Sequence, residues 1–544
     1  MQGFLQRICS GLILLLATGA AWAQTPAWQQ LVAVGGSVSA SVADGSGNVY
    51  LAGRFSGTAS FGATQLSSAG GSDLFVAKWS RSAMTFVWAQ RAGGAGDDYA
   101  DALALSGSNL YVAGSYVGSA TFGATTLTSA GDDNGYVLKL ADAGSTASLG
   151  WVQNLSGPGA DRVTALATVG ANVYVAGIFT SAQASLGTLP LTNTSNSGTL
   201  NDGFVARLTD AGASSTVAWG RTLGSSNSDL LTGLAAAGTS VYVAGLLGGP
   251  TTLGSATVNG CFYARLTDGG STSTYDWALN SGGFALPNAL VASGGSLYVA
   301  GRFQGSASFG SVLLASTGAG GGYHLFVAKL TDAGTSASFV WALGGGGPLT
   351  DFANALAVRG NGVYVAGSFS GTASFGSFSL SSVGSSNDWV VARIADGGNT
   401  AAYSWVQQAG SAAYEQATTV ALGGSGTVYV AGGVGPGAAF GSLTASGGTV
   451  LTWLTDPALL PTRVGADLPG LVIYPNPAHG PATVRVPAGA GPATVRVLDA
   501  LGRAVRQATV VASQDYALTG LPPGVYAVRV QVGEAAATQR LVVE

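Results

Sequence analysis

The chain has 544 residues and a formal net charge of −4, with 8% charged and 47% hydrophobic residues. An ordinary soluble domain carries about 25% charged residues. A basic stripe for nucleic acid and an acidic interaction tail are therefore both excluded, and so much apolar content does not fit a disordered chain. The length calls for two or more units, or for a repeat array.

The first 23 residues read as a secretory signal. Arg7 supplies the positive start, residues 8–17 form a short apolar core, and Ala21, Trp22 and Ala23 have the A-x-A form of a cleavage site. Cleavage after Ala23 leaves Gln24 as the first mature residue. Cys9 precedes most of the apolar core and is misplaced for a lipid anchor, which leaves Cys261 as the only cysteine of the mature chain. No intramolecular disulfide is then expected, and stability has to come from packing. No later segment holds 18 consecutive apolar residues, so no transmembrane helix is expected. The mean hydropathy of +0.37 comes from many short Val, Ala and Leu runs between Gly and Ser turns.

From Gln24 to Asp456 the chain repeats itself. A (V/L)-Y-(V/L)-A-G segment occurs seven times, with tyrosines at Tyr50, Tyr111, Tyr174, Tyr242, Tyr298, Tyr364 and Tyr429. After each comes a Phe-Gly or Leu-Gly pair, from Phe61-Gly62 to Phe440-Gly441, and then an F-V-A-K-like run. That run ends on Lys78, Lys139, Arg207, Arg265, Lys329 and Arg393 in six repeats, and the seventh places Trp453 there. A T-D-A-G-like turn and a run carrying one tryptophan complete the unit. Short runs rich in Val, Phe and Tyr, bounded by Gly, Asp and Ser, read as strands, about four per repeat. Repeats of four antiparallel strands suggest a seven-bladed β-propeller.

The tryptophans at Trp28, Trp88, Trp151, Trp219, Trp277, Trp341 and Trp405 are offset by one unit. Trp28 precedes the first tyrosine run, and no tryptophan run follows residues 450–454. The N-terminal run is therefore expected to complete the last sheet, which closes a ring. Residues 94–123, together with D-L-F-V-A-K at 73–78 and A-D-G-S-G-N-V-Y at 43–50, resemble the bacterial β-propeller repeat family abbreviated SBBP. The resemblance covers roughly residues 24–456 and implies architecture without a settled activity.

Residues 457–470 break the repeat with Pro457, Pro461 and Pro469 and read as a linker. Alternating strands then resume over 471–544, the pattern of a small β-sandwich. Its opening Tyr474, Pro475, Asn476 and Pro477, the D-A-L-G turn ending at Gly502, and the L-P-P-G-V-Y run with Pro523, Gly524 and Tyr526 together resemble the type A C-terminal sorting domain of the type IX secretion system. The resemblance implies recognition by that export machinery and a secreted or outer-surface destination.

Chemistry is sparse. His324 and His479 lie in different units, with no second histidine or cysteine at metal-ligand spacing. Asp142, Asp210, Asp268, Asp332, Asp396 and Asp456 recur in phase, which argues for a turn in each repeat rather than one active site. The dense acidic spots are Asp97-Asp98 and Asp132-Asp133, and Tyr414-Glu415 departs from the repeat. D-G-S-G-N at 44–48 has the flavour of an oxygen-ligand loop, but it reads better as a β-turn. No catalytic residue, metal ligand or cofactor is assigned.

The candidate ligand ring is Lys78, Lys139, Arg207, Arg265, Lys329 and Arg393. It would either greet an anionic polymer or pair with neighbouring aspartates between repeats. The expectation is a secreted or cell-surface binding or adhesion protein with a glycan or protein ligand. The alternatives are an extracellular enzyme acting on polysaccharide and a purely structural surface component.

Overall fold

A computed structural model describes residues 26–459 and 471–544, apart from short breaks at 196–198, 317–320, 385, 425, 487–491, 500–503, 512–513 and 533–534. The signal segment with Ala23 and Gln24, most of the 457–470 linker, and Gly502 lie outside the described residues. The chain divides into two compact units at Leu459 and Leu460. It is all-β. Among the described residues the one helical element is a single 3-10 turn at Pro457–Leu459, and no helix is long and apolar enough to cross a membrane.

Within the first unit, the described strands form four four-stranded, two six-stranded and one five-stranded sheet besides two separate hairpins, and each of the seven larger sheets contains a four-stranded antiparallel array. The third is representative, with Asp161–Val169, Asn172–Phe179, Asp202–Asp210 and Ser215–Leu223 paired in chain order. The last consists of Gln416–Leu422, Thr427–Val434, Gly448–Thr455 and, on its outer edge, Trp28–Val34. Leu31 faces Thr452 and Val34 faces Thr449 in that pairing, so the N-terminal strand completes the seventh sheet.

Each tyrosine strand is buried on both faces because a sheet packs on either side of it, so it reads as a near-continuous apolar run. Successive side chains of a strand point to opposite faces. Thus Tyr50 and Ala52 enter the core shared with the second sheet, while Val49 and Leu51 enter the core shared with the seventh. The first strand of each sheet lies against the first strand of the next. Gln416–Leu422 returns to Ser37–Ala43, so the order of contacts is cyclic.

The Phe-Gly landmarks build an accessory hairpin. Phe122 pairs with Thr125 across a two-residue loop opened by Gly123 at φ 63°. A positive φ at the first central position suits a type II′ turn and needs glycine. Phe122 itself is buried between sheets. The hairpin then pairs with the last strand of the preceding sheet, Gly93 facing Thr121.

The second unit holds two antiparallel sheets. One is Val472–Tyr474, Ala482–Arg485 and Asp515–Leu518; the other is Ala504–Val511, Pro492–Leu498, Gly524–Val532 and Ala535–Val543. Val484, Val495, Val497, Val528, Val530 and Leu541 form its core.

Candidate ligand-binding cavity

The six repeat-phase cations lie between the sheets. Lys78, Lys139, Arg207, Arg265, Lys329 and Arg393 are largely buried. Each reaches an aspartate of the following sheet, Asp142, Asp210, Asp268, Asp332, Asp396 and Asp456, at 2.5 to 3.3 Å. The same carboxylate accepts a hydrogen bond from the tyrosine hydroxyl of the cation's own sheet at 2.7 to 2.8 Å. The indole N–H of that sheet's tryptophan donates to it at 2.9 to 3.2 Å. In its own turn it accepts from a backbone N–H two residues on, as Asp142 does from Gly144. Tyrosine, cation, tryptophan and aspartate thus form one clasp between neighbouring sheets.

Burial alone would raise the carboxyls of Asp142, Asp210, Asp268, Asp332 and Asp396, and the donors overcome it. Lys78, Tyr50 and Trp88 hold Asp142 below the ordinary range, and Lys139, Tyr111 and Trp151 bring Asp210 down to about 2.

The seventh junction exchanges its parts. Trp453 replaces the cation, and the position matching the aspartates carries Arg81. The guanidinium stacks over the Trp453 ring, 5.6 Å from its centroid, and Arg81 Nη1 donates to Thr427 Oγ1. Tyr429 donates to the Gly47 carbonyl at 3.0 Å, and Trp79 packs on Trp453 with centroids 4.9 Å apart. A cation–π contact therefore stands where the other junctions have an ion pair.

Each first strand carries a β-bulge in the same place, which drops Ser39, Asp101, Thr164, Thr232, Asn288, Asn354 and Thr418 from the register. A bulge re-aims the side chain of the extra residue. Thr164 donates to the Leu231 carbonyl, Thr232 to Pro287, Asn288 to Ala353, Asn354 to Ala417 and Thr418 to Val38. The glycine ending each Y-x-A-G faces the bulge. A Cβ on Gly53 would sit 1.9 Å from the Ser37 carbonyl oxygen, and one on Gly114 would sit 2.0 Å from that of Tyr99. Asp101 is the one acid among the seven bulge residues.

Beside Asp101 the first strands border a cavity of about 520 Å³, lined by Arg54, Tyr99, Asp101, Asn354, Tyr414, Gln416 and Thr418 among others. The Arg54 guanidinium stacks over the Tyr99 ring at 4.8 Å, and Tyr414 is 59% exposed. Burial raises the Asp101 carboxyl, opposed by the positive charges of Arg162 and Arg54 and reinforced by Asp133. This set combines two phenol rings, planar amides, one cation and one acid in a pocket of small-ligand size.

The remaining sequence candidates have local partners. Glu415, fully buried, accepts from Ser411 N and Gly435 N. Asp98 accepts from Gly94 N, and Asp97 from Ser72 N. Asp133 pairs with Arg162. His324 is buried at the start of its strand with its ring 5.7 Å from Phe303. Asp44 accepts from Ser46 N and Asn48 N at 2.9 Å and from Asn48 Nδ2 at 2.7 Å, an Asx-turn pattern.

In the second unit, Tyr474 donates to Asp515 at 2.8 Å under the Arg485 guanidinium. Asn476 ties into the last strand through the Arg540 carbonyl and Val542 N. Pro475 and Pro477 follow cis bonds. Gly524, directly after Pro523, opens the strand that carries Tyr526, whose hydroxyl donates to Pro522 O at 2.7 Å.

The bulge residues were absent from the sequence reading. Their signal was a small polar residue just before each A-L-A-like run.

Residues 472–544 match the family of secretion system C-terminal sorting domains. This domain directs export to the cell surface or extracellular space and implies interaction with the secretion machinery. No curated protein matches the chain. Among solved structures, the chain aligns with the extracellular domain of BT4673 from B. thetaiotaomicron at 8% identity. The alignment covers 95% of this chain and 98% of that one, with a TM-score of 0.17, a superposition too poor to bear on fold or function.

Proposed function

We propose that residues 24–456 form a seven-bladed β-propeller of the SBBP-like kind. The chain then works as a secreted or cell-surface binding protein that takes glycan at the cavity beside Asp101. The assignment completes with a signal peptide at 1–23, a linker at 457–470 and the sorting domain at 471–544. The cyclic order of first-strand contacts and the closure of the seventh sheet by Trp28–Val34 support the propeller.

The observation that carries the binding site is where the departures from the repeat gather. Elsewhere six of the seven junctions repeat one pattern of tyrosine, cation, tryptophan and aspartate. Around this cavity stand Arg54, Tyr99, Asp101 and Tyr414, from two neighbouring sheets and a loop before a third. Aromatic faces with amide and charged donors suit the apolar face and hydroxyl edge of a sugar ring. Hydrolysis of a glycoside needs two working carboxyl groups. Asp133, the acid that couples to Asp101, is held by Arg162, so recognition is the reading adopted over an enzyme.

The test is a glycan array with the mature chain. Selective, saturable signal is expected, reduced at least ten-fold by Tyr414→Ala, which removes an exposed ring without touching the core. Silence across the array, or signal indifferent to Tyr414→Ala, overturns the reading.

A further inference from the structure

The arginines of the first unit fall into different environments. Arg207, Arg265 and Arg393 belong to the clasps, and Arg91 and Arg162 pair with Asp73 and Asp133. Arg54 and Arg302 are different. They occupy the same place in their repeats, directly after the Y-x-A-G glycine, where the others carry Ser115, Ile178, Leu246, Ser368 and Gly433. Among the described residues neither lies within ion-pair distance of a carboxylate.

Each is held by aromatic rings of the same or the next sheet. Arg54 lies over Tyr99, and Arg302 lies 5.4 Å from the Tyr323 centroid and 5.5 Å from that of Phe352. A guanidinium stacked on a ring is fixed in orientation yet keeps its in-plane N–H donors.

Arg54 also borders a second space. Besides the 520 Å³ cavity it lines an adjoining groove of about 350 Å³, with Ser37, Ser56, Ser72 and Thr449 and the backbone of Gly35 and Gly36. Hydroxyls and one cation are its polar side chains, and no carboxylate lines it. Asp101 attracts Arg54 from the cavity side without ion-pair contact. The groove side of the guanidinium therefore faces hydroxyls and backbone, with no carboxylate among the lining residues to neutralise it.

We infer that this groove is a subsite for an anionic substituent, a carboxylate or a sulfate ester, and that the glycan of this site is an acidic polysaccharide engaged by Arg54. The inference rests on the glycan-binding reading above and adds the charge class of the ligand. A guanidinium meets a carboxylate or sulfate through two parallel N–H bonds, which a lysine ammonium cannot reproduce.

The experiment is calorimetric titration of the mature chain with polygalacturonate, its fully methyl-esterified form, dextran sulfate and dextran. Binding of at least one anionic polymer at least ten-fold tighter than its uncharged counterpart is expected. Preference for polygalacturonate identifies a carboxylate, and preference for dextran sulfate a sulfate. Arg54→Gln is expected to abolish the preference, and Arg54→Lys to restore only part of it, with thermal midpoints unchanged because the side chain is exposed. Equal binding of charged and neutral polymers, or a preference that survives Arg54→Gln, overturns the anionic subsite. If neutral polymers still bind in a Tyr414-dependent way, the glycan reading stands. No binding to any of the four overturns this inference, and an array that is also silent overturns the glycan reading.

Discussion

Asp268 accepts from Tyr174, Trp219, Arg207 and the Gly270 backbone within one buried clasp. Removing one partner of a buried ion pair leaves the other charge uncompensated, at a cost of about 3–5 kcal/mol. Asp268→Ala is therefore expected to lower stability by that amount, read as a shift in the urea midpoint. A change below about 1 kcal/mol would show that the pair is screened like a surface one.

The exchanged junction gives a sharper test. Arg81→Asp alone places an acid beside Trp453 with no cation, and Trp453→Lys alone brings a second cation to Arg81. Both single variants are expected to be destabilised. The double variant, which restores the cation–acid pair of the other six junctions, is expected to recover part of the loss. Additive losses in this double-mutant cycle would mean that the two residues do not act as a unit.

At the scale of elements, Trp28–Val34 is the piece whose removal tells most. Without it Gly448–Thr455 becomes an open edge, and Trp28 leaves a core that includes Trp389 and Phe440, with ring centroids at 6.5 and 5.2 Å. Unpaired edges invite intermolecular pairing. A chain lacking residues 24–34 is expected to melt lower and to form higher-order species on size exclusion, while retaining β-type circular dichroism. An unchanged melt would mean that the seventh sheet is stable with three strands. The accessory hairpins depend on their glycines. Gly123→Val forces a branched residue to φ 63° and meets Leu149 at 3.1 Å, so it should destabilise more than the same change at an exposed turn.

For the molecule as a whole, two sets of carboxyls pull stability in opposite directions with pH. Burial pushes Asp98 and Asp351 up to about 7 and Asp161 and Asp388 up to about 6. Against an unfolded value near ~4, the folded state holds more protons between about pH 4 and 7, so stability falls as pH rises through that window. Five clasp aspartates, Asp142, Asp210, Asp268, Asp332 and Asp396, are lowered, Asp210 to about 2. Their contribution is present above about pH 4 and is lost as pH falls toward their folded values. Thermal midpoints from pH 2 to 9 should therefore peak near about pH 4–5 and decline toward pH 7. A flat profile from pH 4 to 8 would show that the buried acids are ionised throughout.

Much of this was legible in the sequence because repetition exposes it. Tyr50, Lys78 and Trp88 recur in phase as sheet-sheet contacts recur, and the in-phase aspartates pointed to the turns they occupy. The offset of Trp28 by one unit announced the closing strand. The sorting unit was legible from Tyr474, Asn476 and Tyr526, whose spacing is local. The bulge residues were not legible in the sequence because the period of two assigns a face to each residue only while the register holds, and a bulge breaks it at Asp101 and its counterparts. Which cation finds which acid was open too, since Lys78 and Asp142 belong to different repeats. Trp453 was visibly irregular, but its complement Arg81 is separated from it by most of the first unit's sequence.

The sequence by itself determined the strand content, the number of repeats and the export signal at the C-terminus, because each is written in short-range patterns of side-chain type. The tertiary structure alone decided that the cations turn inward to clasp aspartates and that Arg54, Tyr99, Asp101 and Tyr414 share one cavity. Those placements depend on backbone register and on contacts between residues hundreds of positions apart, which no local pattern encodes.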